Sequence, residues 1–222
     1  MIGLLLLRTA FPRPIGDGGN PASWNEPVCT VRLRGASVAN VVVNAPLSSA
    51  LCEEVLADAD VAIAQGARCV TTSCGFFASI QNTVAQRLAV PFVSSSLCLI
   101  PHFLREGLSL DALGVLTFDL QKLAPIHFAG VNAPIPAAQK GLISGNIVRK
   151  CIENDETVLD LARAQADVVE CARALKREFP NVTTLILECT NLAPYRKAIE
   201  AATGMRTFDI RDAVERLCPK PQ

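Results

Sequence analysis

Short apolar runs alternate along this chain with longer amphipathic stretches, and that rhythm restricts the fold to βα units built on a parallel sheet. Strands are expected near residues 2–7, 28–33, 69–72, 92–94, 113–117, 182–187 and 207–210. Between them the pattern predicts helices over 48–65, 76–88, 157–179 and 194–202, the third opened by Asp155 and closed before Pro180. Two stretches break the rhythm. Residues 8–26 contain Pro12, Pro14, Gly16, Gly18, Gly19 and Pro21, and read as a long irregular loop directly after the first strand, a place where loops carry function. Residues 134–150, rich in Gly, Pro and Asn, read as a second long loop.

The chain has 222 residues, room for one large domain or two small ones at about 150 per domain. Its 21 basic residues balance its 21 acidic ones, so no basic field exists to hold nucleic acid by counterion release. Zero net charge gives little protection against self-association, and a homodimer or higher homo-oligomer is expected. The apolar run over 2–7 is too short for a signal-peptide core, and no segment approaches the roughly 20 apolar residues of a membrane span. Nine cysteines, several of them (Cys52, Cys98, Cys171) inside apolar helical patterns, point to free thiols in a reducing cytoplasm. With no CxxC spacing, and with His102 and His127 apart, no metal site is expected. Phosphate-loop patterns are missing as well, so nucleotide binding has no support.

Two segments repeat one another. CVTTSCGFFASI (69–80) and LILECTNLAPYR (185–196) each read strand, thiol, helix, and Cys74 and Cys189 lie 115 residues apart, about half the chain. Open α/β sheets bind their ligands at the carboxyl ends of strands, where both thiols fall. A thiol at a helix N-terminus meets free N–H groups that favour thiolate, so its pKa is expected to drop from about 8.5 toward neutrality. Thr72, Ser73 and Gly75 beside one thiol, and Thr190 and Asn191 beside the other, can bind a carboxylate or enolate oxygen. A lone cysteine after a strand is more often buried filler; the matched pair favours function for these two only. In the 11–20 loop, Asp17 or Asn20 could be held over a substrate, or the loop could be a rigid turn. Arg13 could pair with a substrate carboxylate or be merely solvated. His102, next to Phe103, reads as packing.

TTSCGF at 71–76 and LECTNL at 187–192, together with GLLLL at 3–7 and VLTFD at 115–119, resemble the aspartate/glutamate/hydantoin racemase superfamily. The resemblance implies an α/β fold of two similar parallel-sheet lobes related by a pseudo-twofold axis, with the active site in the cleft between them. One lobe would comprise residues 1–97 plus 206–222 and carry Cys74; the other would comprise 98–205 and carry Cys189. It further implies a cofactor-independent racemase or epimerase acting on a small carboxylate of the Asp/Glu type, with Thr117 contacting substrate. Inversion next to a carboxylate needs a base on one face and an acid on the other, and a thiolate with a thiol supplies both. A maleate-type cis–trans isomerase, an arylmalonate-type decarboxylase and a non-catalytic carboxylate binder remain as alternatives.

Overall fold

The computed structural model describes residues 1–218. Eight strands make two sheets: β1 (Ile2–Leu6), β2 (Val28–Arg32), β3 (Cys69–Thr72) and β4 (Phe92–Val93), then β5 (Leu113–Thr117), β6 (Ala138–Gly141), β7 (Thr184–Leu187) and β8 (Arg206–Phe208). All pairings are parallel, in the orders β2-β1-β3-β4 and β6-β5-β7-β8, so the second sheet repeats the strand order of the first. β3, β5 and β7 are buried at every position, as expected for inner strands of a parallel sheet covered on both faces.

Around the sheets lie α1 (Val38–Val41), α2 (Ser49–Ala64), α3 (Gln81–Ala85), α4 (Leu99–Arg105), α5 (Pro125–Gly130), α6 (Ile147–Glu153), α7 (Leu161–Glu178), α8 (Arg196–Thr203) and α9 (Ile210–Leu217). The long ones start at side-chain caps. Ser48 accepts the Leu51 N–H at 3.2 Å to open α2, and Asp160 accepts the Ala162 and Arg163 N–H groups at 3.1 Å to open α7. One continuous apolar core runs from β1 and α2 through Phe76, Phe77 and Leu97 to β5, β7 and α7, so the two lobes share their interior.

Several expectations are corrected. The 134–150 loop contains the edge strand β6 and the start of α6; β6 pairs only with β5, and its sequence Ala-Gln-Lys-Gly lacks the apolar run of an inner strand. Asp160, not Asp155, opens the helix expected over 157–179. The helices expected over 76–88 and 194–202 each begin as a tight 3₁₀ turn, Gly75–Ile80 leading into α3 and Thr190–Tyr195 leading into α8. The tail from Arg206, expected in the first lobe, divides: β8 joins β7 in the second sheet, whereas α9 packs on β4 and the 3₁₀ turn Ser96–Cys98. Residues 219–222 of that tail lie outside the described residues. Among the described residues no helix is long and apolar enough to cross a membrane.

Candidate active site

Each thiol follows the third strand of its sheet. Cys74 comes after β3 and Cys189 after β7, and each takes extended backbone angles as the residue that opens a 3₁₀ turn. The two line one narrow cavity. Its walls come from the carboxyl ends of β1, β3, β5 and β7, with Leu7, Phe11, Val42, Phe76, Phe118 and Ile152 supplying the apolar surface. The polar lining consists of Arg13, Ser73, Gly75, Glu188, Thr190 and Asn191 beside the two thiols.

The turns do aim N–H groups at sulfur, that of Phe76 at Cys74 and that of Asn191 at Cys189. Burial outweighs them. Loss of water and then the charge of Glu188 push Cys74 up to about 12, and the same two causes raise Cys189 well above its ordinary range. The expected drop toward neutrality is therefore corrected: with Cys189 buried, Cys74 half-buried and Glu188 beside both, the resting thiols stay protonated.

Glu188 is the residue that sequence reasoning missed. It is 1% exposed and directly precedes Cys189. Thr117 Oγ1 donates to its Oε2 at 2.6 Å, while Oε1 has no hydrogen-bond partner. Burial raises its pKa to about 7, against the opposing pull of the Thr117 bond and the Phe118 backbone N–H. Gly75 makes room for it, since a methyl there would collide with the Glu188 carbonyl oxygen and Oε1. The signal available in the sequence was a single acidic residue closing the apolar strand Leu185-Ile186-Leu187.

The other expected site residues divide by role. Ser73 lines the cavity and ties the lobes together: its Oγ accepts the Leu7 N–H at 3.1 Å, and its carbonyl accepts Thr190 Oγ1 at 2.9 Å. Asn191 accepts Cys189 Sγ at 3.5 Å and donates to Asp17 at 2.6 Å. Asp17, fully buried behind the cavity wall, also accepts Arg13 Nη1 at 3.1 Å and the Gly19 N–H at 2.6 Å. A polar chain thus runs from Arg13 through Asp17 and Asn191 to Cys189. Arg13 is not a solvated surface residue: its guanidinium lies over the Phe11 ring, 4.7 Å from the centroid, and lines the cavity. Thr117 is buried beneath the site, where it holds Glu188 instead of lining the cavity. Asn20 lies away from the cavity and shapes the loop, accepting the Ala22 N–H at 2.9 Å and donating to the Arg13 carbonyl at 2.7 Å. Asp155, in a left-handed conformation with φ 51°, reaches across from the second lobe and accepts the Ala10 and Phe11 N–H groups at 2.7 and 3.0 Å. It fastens the loop that carries Arg13. His102 is half-buried, its Nε2 3.2 Å from Glu106 Oε1, and it does not line the cavity.

No family model matches the chain. Among curated proteins it is similar to a dimethylsulfoniopropionate lyase of Durusdinium sp. clade D, 27% identical over 156 residues that cover 65% of this chain and 50% of the relative. Dimethylsulfoniopropionate lyase 5 of Emiliania huxleyi is 26% identical over 217 residues, 94% of this chain and 43% of the relative. The chain spans about half the length of the curated relatives it matches. Among solved structures, unliganded arylmalonate decarboxylase superposes with a TM-score of 0.64 at 17% identity, covering 100% of this chain and 93% of the other. Allantoin racemase from Pseudomonas fluorescens gives 0.61 at 16% identity over 98% and 89% of the two chains. For a glutamate racemase from Bacillus anthracis the values are 0.53, 15%, 95% and 77%. With its two four-stranded parallel sheets and their flanking helices, the chain has the two-lobe α/β fold of the aspartate/glutamate/hydantoin racemase superfamily.

Proposed function

We propose that this chain is a cofactor-independent racemase or epimerase that inverts a carbon next to a carboxylate, with Cys74 and Cys189 as the two proton-transferring groups. The single observation that carries this reading is the placement of both thiols, from matching positions of two like-ordered sheets, in one cavity. One thiolate removes the α-proton and becomes a thiol; the other thiol delivers its proton to the opposite face and becomes the thiolate. Proton count is conserved, and the reverse reaction uses the same pair with roles exchanged. The negative charge that develops on the carboxylate oxygens needs donors nearby, and the Arg13 guanidinium, the Ser73 hydroxyl, the Asn191 amide and the N–H groups of the two turns supply them. The apolar remainder of the lining favours a substrate with a small or apolar side chain.

A second reading is favoured by the likeness to dimethylsulfoniopropionate lyases. Their named substrate is a carboxylate with a leaving group two carbons away, so elimination from it also begins with loss of an α-proton. The same thiolate would take that proton and become a thiol, and the electron pair left on the α-carbon would form a double bond to the β-carbon as the β-substituent departs with its bonding pair, leaving an unsaturated acid. A screen in deuterium oxide separates the two. Amino acids, hydantoins and 2-substituted acids are followed for loss of the α-proton signal and for inversion; dimethylsulfoniopropionate is followed for acrylate, and an arylmalonate for carbon dioxide. Inversion with deuterium incorporation and no fragment released supports the racemase. Acrylate formation in place of inversion replaces it with the lyase, and carbon dioxide replaces it with the decarboxylase.

A further inference from the structure

Resting on the reading above, we propose that Glu188 is a third functional group of the site: it shares one negative charge with the two thiols, and whenever a thiol is ionised it carries the proton on Oε1 and offers it to a carboxylate oxygen of the substrate. Geometry carries this. The carboxyl lines the cavity that holds both sulfurs, sits next to Cys189 in the chain and presses Oε1 against the backbone of Gly75, the neighbour of Cys74. Thr117 donates to Oε2, which leaves Oε1 as the position for a proton, and Oε1 is the oxygen without a partner. A neutral carboxylic acid held in an apolar site is a strong donor to a developing oxyanion.

The electrostatics agree. The charge of Glu188 is the second largest cause raising each thiol, after burial. Two negative charges in so small and dry a space are costly, so the three acids titrate as a unit. The other charged groups facing this unit are Arg13, which favours the Cys74 thiolate, and Asp17, which disfavours that of Cys189; they are ion-paired with each other. The first proton leaves the unit near pH 7, and the single charge then resides mostly on Glu188 and, in a minor form, on a thiol. The minor form is the active one. Its population rises with pH up to about 7 and then levels off, because the second ionisation lies far above. The proton balance is closed: a thiol gives its proton to the Glu188 carboxylate, and no other acceptor is required.

The test uses the intact protein and the variants Glu188→Gln, Glu188→Leu and Thr117→Val. Alkylation of Cys74 and Cys189 by iodoacetamide, mapped by mass spectrometry between pH 6 and 9, reports thiolate without any substrate. In the parent the rise of the rate with pH should flatten as Glu188 ionises near pH 7, whereas in Glu188→Gln it should hold at about tenfold per pH unit throughout. Thr117→Val removes a bond that favours the ionised carboxylate and should move the levelling point to higher pH. For α-proton exchange, Glu188→Gln keeps an N–H donor and should retain the rate within about tenfold at pH 7, whereas Glu188→Leu should lose roughly 10²–10³. Superimposable alkylation profiles for the parent and Glu188→Gln overturn the shared charge. Equal exchange by Glu188→Gln and Glu188→Leu overturns the donor role, as does complete loss of exchange in Glu188→Gln. Absence of exchange in the parent with every acid overturns the racemase reading instead, and the alkylation profiles then decide on Glu188 by themselves.

Discussion

A thiol at the end of a buried strand feels two opposed influences, and their sizes decide its state. N–H groups at the start of a single 3₁₀ turn favour thiolate modestly, while removal of water and a neighbouring carboxylate disfavour it strongly. The positions of Cys74 and Cys189 were legible in the sequence because strand, thiol and turn follow one another locally. Their protonation was not, because it depends on Glu188 and on the closure of one lobe over the other. Glu188 itself reads in sequence as an ordinary polar strand end; its burial comes from long-range neighbours, Gly75 of the first lobe pressed against it and Thr117 bonded to it. A stability measurement follows from its titration. Its folded pKa, about 7, lies above its ordinary 4.5, so the fold prefers the protonated form. That preference is fully present below about pH 4.5 and is lost as pH rises through 7, a change on the order of a few kcal/mol. We expect the denaturant midpoint of the parent to fall across this window more than that of Glu188→Gln. Equal slopes would mean that the carboxyl ionises as freely in the folded protein as in the unfolded chain.

The 8–26 loop positions Arg13 and Asp17, and backbone N–H groups fasten its upstream end. Its upstream fastening is Asp155, whose Oδ1 accepts from Ala10 and Phe11. Asp155→Ala hands the exposed Ala10 N–H to water and leaves the part-buried Phe11 N–H without this acceptor, and should cost about 0.5–1.5 kcal/mol in urea denaturation, with faster hydrogen exchange at Ala10 and Phe11. Asp155→Asn keeps the acceptor and tolerates the left-handed backbone, so it should behave nearly as the parent. Identical exchange in Asp155→Ala would remove its role as a fastening. The sequence placed this loop correctly but took Asp155 for a helix start, since a polar residue ahead of an apolar-periodic run is equally a cap or a loop anchor. Inner strands were legible as continuous apolar runs; β6, wet on one side and paired on one edge, was not.

At the scale of the whole molecule, the site exists because two sheets of the same strand order bring their third strands to one cleft. Docking of α5 onto the Gly75–Ile80 turn joins the lobes directly behind Cys74. Gly130 permits it, because a Cβ there would strike the Ala78 carbonyl oxygen. Gly130→Ala should therefore cost about 1–3 kcal/mol by overpacking and speed alkylation of Cys74, checked by denaturation and mass spectrometry. Unchanged alkylation would show that this contact does not set access to the thiol. The division into lobes was readable from the repeated strand–thiol–turn pattern, whereas the crossing of the C-terminal tail from β8 in the second sheet to α9 on the first depends on long-range packing that no local pattern encodes.

The most direct test of the two-thiol chemistry is α-proton exchange in deuterium oxide, with each enantiomer of an acid the protein turns over, for the parent, Cys74→Ala and Cys189→Ala. We expect the parent to invert and deuterate both enantiomers, and each variant to lose inversion by orders of magnitude while retaining exchange into one enantiomer, opposite for the two variants. Inversion at the parent rate by both variants would contradict the assignment outright; loss of turnover only in Cys189→Ala would replace it with single-thiol chemistry.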